Sequence, residues 1–442
     1  MNYLRTSKIK IFIGLVTLFI LFNIYKFFQV RLLNLDLPKG QIVFSSGIDG
    51  DSEIYIMNIN GTSLKQLTNN SATNFDTAMD DEPSFSSDGR KVVFVSSRQG
   101  KNKEFIYNHQ GKIIGTGSSK TGTSDIYIMD LDGNNQIPLT YKELNLYPFF
   151  SPDGRNIVFE ARGNSEWQTK MIDVNGSNQG ILDARSGHYK FSSDGKKIYD
   201  TFQCDLSVMN EDGSNRIRLT NFLTFEETMR DPKKRRTNIP NFAFSRNGKK
   251  ICFILKEDRG KSIGEFYNII RFYIMNIDGS NLEQIYTIDC SHLNELYVSG
   301  YNEKAMFCNI KQLQYFPDDR AVIFIADFTY KKGIYLLDLQ SENVKELTYK
   351  NQAWRDILGF TFTPDGKKIV FITDTYPKNY VIHALFLHSI RAYVNYFLFR
   401  KSTPFYDNKY LCIMDIDGKN YRRIAKLPEG TELGRDFIHW EQ

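Results

Sequence analysis

The chain repeats itself, and the repeated unit is the punctuation of a β-hairpin. One element is an apolar residue, a Ser or near equivalent, then Asp-Gly and basic residues leading into a β-rich run. It reads Phe85-Ser86-Ser87-Asp88-Gly89-Arg90-Lys91-Val92-Val93-Phe94 and again Phe150-Ser151-Pro152-Asp153-Gly154-Arg155. Further copies start at Phe191, Phe244 and Phe362, and a degenerate one at Phe316. The other element is an alternating strand that ends in a tight turn. It begins with Ile54 to Gly61 and returns closely at Ile126 to Gly133, Phe272 to Gly279 and Leu411 to Gly418. Looser copies run from Lys170 to Gly176, Leu206 to Gly213 and Ile334 to Gln340.

Asp-Gly and Asn-Gly supply the positive φ angles that two-residue hairpin turns need. The Val, Ile, Phe and Tyr runs beside them form strands. Each unit therefore holds four short strands, the last often closing on Leu-Thr, as at Leu67-Thr68, Leu139-Thr140, Leu219-Thr220 and Leu347-Thr348. Such units cannot bury both faces alone and must stack, which predicts an all-β propeller. The third strand occurs seven times, and six inner strands carry a recognisable turn, the first starting near Pro83. Gln41-Ile42-Val43-Phe44 is a second strand with no inner strand before it, and Phe437-Ile438-His439-Trp440 resembles an inner strand without its turn. The two ends should therefore share one blade, closing a ring of seven blades and removing an open edge. Six blades is the alternative, if the repeat near 169–203 is misparsed.

On Phe150 to Arg155 and Asp125 to Gly133, the repeats resemble those of the TolB-like, WD-like propeller family, over about residues 41 to 442. The resemblance is specific for fold and says little of function, because similar repeats occur in scaffolds and in propellers attached to peptidases. Some seven-bladed propellers with such repeats are metal-dependent polysaccharide-fragment lyases with a His-rich site. That alternative needs His188 and His292 to converge with a further ligand.

Ahead of the repeats lies a different kind of segment. Arg5, Lys8 and Lys10 precede Ile11 to Phe28, which is apolar but for Gly14, Thr17, Asn23 and Lys26. That length reaches the lower limit of a membrane span, and the charges favour an inside N-terminus with the rest outside. No small-residue cleavage site follows, so the segment reads as an uncleaved anchor. The organisation expected is residues 1–10 cytoplasmic, 11–30 a transmembrane signal anchor, 31–40 a linker and 41–442 the propeller on the extracytoplasmic side, periplasmic or extracellular.

Tight turns join the first to the second strand and the third to the fourth. Nearly all long connections fall in the other class, which leaves the opposite end of each blade. One face should be trimmed and the other elaborate, and function belongs on the elaborate face. The insertions expected there are 99–123, 221–239, 286–312 and 378–408, together with an acidic loop ending at Glu82. Gln99 to Thr123, rich in Gly, Lys and Ser, reads as a mobile loop. Tyr380 to Arg400 reads as a helix apolar nearly all round, to be buried by the propeller face, by a partner or by membrane.

Several residues on that face are candidates for contact. Trp354, Arg355 and Asp356 lie just before an inner strand near the channel, as ligand contacts or as packing between blades. Asp76, Asp80 and Asp81 beside Glu82 suit a hard cation or, without the spacing of an EF-hand loop, a solvated acidic loop. Lys233, Lys234, Arg235 and Arg236 suit acidic headgroups, an acidic partner or plain solvation. Turn formation accounts for the repeated Asp-x-Asp-Gly, so no metal is assigned there. Among six His there is no metal-ligand spacing, and no Gly-x-Ser-x-Gly elbow occurs. No catalytic residue, metal or cofactor is therefore assigned. A net charge of +5 over 442 residues does not suggest nucleic acid. Five Cys do not make a disulfide framework; Cys252 and Cys412 read as buried thiols, and Cys290 and Cys308 as either a pair or two free thiols. The function expected is a membrane-anchored binding scaffold for an envelope protein or glycan, not an enzyme.

Overall fold

A computed structural model describes residues 39–440 except 48–51, 70–78, 99–104, 108–112, 117–122, 142, 163–165, 184–187, 193, 203–204, 223–235, 263–264, 291–303, 306–307, 329–330, 349–353, 376–407, 429–430 and 434–436. The expected anchor and the excursion at 380–400 lie outside these residues. Among those described, no helix is long and apolar enough to cross a membrane.

Seven antiparallel sheets follow one another along the chain, so the ring has seven blades and not six. Blade 1 holds Gly40–Ser46, Glu53–Asn58 and Lys65–Gln66, completed on its inner side by Ile438–Trp440. The inner strands of blades 2 to 7 are Asp80–Phe85, Leu144–Phe150, His188–Phe191, Arg236–Phe244, Cys308–Tyr315 and Trp354–Phe362. The two ends of the chain pair as expected, Gly40 with Trp440, Gln41 with His439 and Ile42 with Ile438. A second stitch joins Ser45 to Glu432 through both backbone hydrogen bonds.

The motifs have clear physical roles. In the first turn the Ser86 hydroxyl donates to Asp88 (2.6 Å) and accepts from the Lys91 amide (3.0 Å), while Asp88 also accepts from Arg90 N–H (3.1 Å). Ser151, Ser192 and Thr363 repeat this with Asp153, Asp194 and Asp365, and Ser245 with Asn247. These hydrogen bonds hold the Asp88 carboxyl below its ordinary range. Leu-Thr is a clasp: the Thr68 hydroxyl accepts from Ile54 N–H at 2.9 Å, and Thr140, Thr220 and Thr348 do the same for the third strands of their blades.

Seven hydrophobic clusters lie among the described residues, one between each pair of consecutive blades. Phe44, Phe94, Phe159, Phe253, Phe324 and Phe371 are fully buried there, each contributing about 1.5–3 kcal/mol. The glycine of the second turn leans on the preceding blade. Gly133 of blade 2 has φ +86°, and a Cβ there would meet the Leu67 carbonyl of blade 1 at 2.7 Å. Gly418 of blade 7 has φ +85° and approaches Leu347 of blade 6 as closely.

Some boundaries differ from the sequence reading. The inner strand of blade 2 starts at Asp80 instead of Pro83, so Asp80, Asp81 and Glu82 belong to the sheet. The stretch 99–123 contains a hairpin, Phe105–Tyr107 with Ile113–Thr116, rather than only loop. In blade 5 the strands Lys250–Ser262 and Glu265–Asn276 run on past the blade, where Lys304–Ala305 adds a parallel pairing. That region ends at Asp289 and resumes at Cys308, so the insertion is shorter than 286–312. The insertion at 221–239 likewise ends where the strand from Arg236 begins. Cys252 and Cys412 are buried free thiols as expected, and burial pushes Cys412 up to about 12. Cys290 is buried and disulfide-bonded; the expected partner, Cys308, has its side chain outside the described residues.

Candidate functional site

The ring has two unlike faces. At one end, called lower, the second and third strands pair at Lys91–Asp130, Asn156–Asp173, Lys197–Asn210 and Lys368–Asp415, and tight turns lead to the first and fourth strands from there. At the other, upper end, Ser96 pairs with Asp125 and Thr375 with Asn408, and the long connections leave from those positions. The inner strands run from upper to lower end around a central channel.

Five of the seven inner strands bulge partway down: between Asp81 and Ser84, Leu146 and Phe149, Asn238 and Asn241, Ile310 and Gln312, and Ile357 and Gly359. A bulge re-aims side chains and interrupts the ladder. Here the freed groups bond from blade to blade. The Ser45 hydroxyl of blade 1 donates to Asp81 of blade 2, and Tyr147 N–H of blade 3 donates to Glu82 at 2.5 Å. Lys190 of blade 4 donates to Asn241 Oδ1 (3.3 Å) and the Phe242 carbonyl of blade 5, and Asn241 Nδ2 donates to the Lys311 carbonyl of blade 6 (3.1 Å). Gln312 completes this run: its Nε2 donates to the Phe360 carbonyl of blade 7 (2.9 Å) and its Oε1 accepts from Phe360 N–H (3.0 Å). Gln312→Leu should leave both Phe360 groups without a partner and cost about 3 kcal/mol in denaturant unfolding. A cost within about 0.5 kcal/mol of zero would show that this link is idle.

Inside the belt is a cavity of about 530 Å³. Its polar wall is Lys190, Asn241, Lys311, Gln312 and Gln314, and its aromatic wall includes Phe149, Phe191, Phe242 and Phe437. It reaches from Pro152 in a lower turn to Leu433 near the upper end.

At the upper mouth, where blades 1, 2 and 3 meet, carboxylates crowd together. Asp80 is fully buried and paired with Arg98 at 2.6 Å, whose guanidinium lies 4.6 Å from the Tyr127 ring centre. Asp81 accepts from Ser45 and from Glu82 N–H (2.7 Å). Burial, then the charge of Glu432, raise Asp81 to about 6. Burial raises Glu82 to about 8 against the Tyr147 N–H bond, with Asp81, Glu160 and Glu432 adding repulsion. Glu82 and Tyr147 both hold left-handed backbone, φ +54° and +55°. Both carboxyls are thus held above their ordinary range by burial and by neighbouring carboxylates, and Glu82 is raised further than Asp81. Tyr147 is 56% exposed beside it.

The sequence reading of Asp80 and Asp81 as a solvated acidic loop is therefore overturned: both are folded into an inner strand. Asp76, Lys233, Lys234 and Arg235 lie outside the described residues, and Arg236 begins a strand with its side chain outside them. Trp354, Arg355 and Asp356 are in the upper end of an inner strand rather than before it; their side chains lie outside those described. So do His292 and the side chain of His188, which pairs Thr201 across its strand. Among the described residues no group of three or more His, Cys, Asp or Glu is arranged to hold a metal ion. Glu160, Glu432, Asn241 and Gln312 were not foreseen.

No family model matches the sequence, and no curated protein matches it. Among solved structures the chain is similar to TolB from Acinetobacter baumannii at 15% identity, covering 91% of this chain but only 66% of that one, with a TM-score of 0.41. A putative TolB from Agrobacterium tumefaciens is similar at 16% identity, 67% and 86% coverage and TM-score 0.36. An oligogalacturonate lyase in complex with manganese is similar at 11% identity, 77% and 86% coverage and TM-score 0.49. TolB is the propeller family that the repeats resemble.

Proposed function

We propose that this propeller is a membrane-tethered, extracytoplasmic binding scaffold whose upper face takes a protein or glycan of the cell envelope. The observation that carries the reading is the contrast between faces: tight turns below, and above them long connections around a channel mouth with exposed Tyr147 and titratable Glu82. Binding residues gather on loops held by a rigid frame. The disulfide at Cys290 supports an oxidising compartment, which agrees with Arg5, Lys8 and Lys10 staying inside while the repeats lie outside. Binding without turnover is the reading preferred.

A photoreactive residue placed at Tyr147, in the native cell, should form an adduct with the partner, whereas one at Lys196 in a lower turn should not. Adducts from Lys196 alone, or equally from both, would refute the assignment of the upper face.

A further inference from the structure

The place where the chain joins the ring fixes how the ring is held. Gly40 is the first residue of its strand and pairs with Trp440, while Gln41 pairs with Asn58. Asn58 opens the Asn-Gly turn at Gly61, and Ile59 N–H bonds the Gly40 carbonyl at 2.9 Å. Gly89, in the neighbouring lower turn, lies directly against the His439 ring. Gly40 is therefore at the lower end, level with the tight turns.

We propose that the lower face is turned toward the bilayer that holds the anchor, and that the upper face is displayed on the far side, to partners that approach from beyond the membrane. This rests on the reading of residues 11–30 as a membrane span. Between Val30 and Gly40 the chain reaches at most about 35 Å when fully extended. Blade strands of six or seven residues make the ring roughly 20–23 Å high. Turning the upper face to the bilayer would require the linker to span the whole height of the ring, about two thirds of its greatest reach, before it met the membrane. Leaving the lower face toward the bilayer demands no such extension.

The chemistry of the lower face suits a position over headgroups instead of within hydrocarbon. Its turns are polar and internally paired, as in Lys91 with Asp130 (2.8 Å) and Lys368 with Asp415 (3.0 Å). At the same end, just after the second turns of blades 1 to 5, Leu64, Ile137, Ile181, Ile217 and Leu282 are 44–60% exposed around the rim. Thr375 and Asn408, which flank the 380–400 excursion, are at the upper end, so a contact of that excursion with the anchoring bilayer is not expected.

The test uses the full chain in phosphatidylcholine vesicles that carry an acceptor dye on a trace of headgroups. A donor dye is attached through a non-natural residue at Lys196 in one sample and at Tyr147 in another. Energy transfer should be several-fold greater from Lys196. Equal transfer, or more from Tyr147, overturns the orientation while leaving the anchor intact. Failure of the protein to float with the vesicles overturns the anchor itself, and the orientation with it.

Discussion

Ending the chain at Arg435 is expected to abolish cooperative folding of the ring. The truncation removes Phe437, 8% exposed in the cluster between blades 7 and 1, together with Ile438 and Trp440 that pack on it. It also removes the three backbone pairings to Gly40–Ile42 and the Val43 N–H bond to Phe437 (2.9 Å). Loss of one buried Phe alone costs about 3–5 kcal/mol. With the ladder gone as well, the loss rivals the whole stability of an ordinary domain, about 5–15 kcal/mol. Blade 1 would also present an open inner edge, which invites aggregation. Calorimetry of the truncated protein should show a broad, early or absent transition and aggregation at temperatures where the full chain is folded. A sharp transition within a few degrees of the full chain would mean that the ring does not depend on this closure.

Glu82→Gln is expected to stabilise the protein at pH 8 and to flatten much of its dependence on pH. Glu82 binds its proton more tightly in the folded chain, up to about 8 from an ordinary value near 4.5, so the folded state carries more protons across that interval. Stability then falls as pH rises from about 4.5 to about 8, since the unfolded state ionises first. Asp81 acts in the same direction up to about 6. Gln can still accept the Tyr147 N–H bond and carries no charge to desolvate. At about 1.4 kcal/mol per tenfold change in proton affinity, and allowing for partial exposure, the gain at pH 8 is about 3 kcal/mol. Urea unfolding at pH 5 and pH 8 reads it directly: the two proteins should agree at the lower pH and diverge at the higher. Wild-type stability that rises with pH over this range would contradict the burial of these acids.

The ring itself was legible because its lower turns leave little choice of residue. Positive φ at Gly61, Gly89, Gly133 and Gly154 demands glycine, and the Ser–Asp brackets beside them recur with the same spacing. The site was far less visible. Asp80-Asp81-Glu82-Pro83 lacks strand formers, and the bulge between Asp81 and Ser84 breaks the alternation, so a strand looked like a loop. Glu160 and Glu432 reach the same corner from blade 3 and from the closing segment, which no local pattern announces. Asn241 and Gln312 are amides within strands, and their roles emerge only when blades stand side by side. In blade 5, Lys256-Glu257-Asp258-Arg259-Gly260 resembles turn chemistry, yet the hairpin carries on through it.

Gly133 rests on blade 1, Gly213 on blade 3, Gly279 on blade 4 and Gly418 on blade 6, while Gly61 of blade 1 rests on Ala425 of blade 7. Each of these blades is keyed to its predecessor, and the key from the last to the first has the same form as the others. The covalent break between Trp440 and Gly40 falls inside a sheet, not at a joint between two. Such a circle has no privileged beginning, and in principle the same object can be threaded from another starting blade.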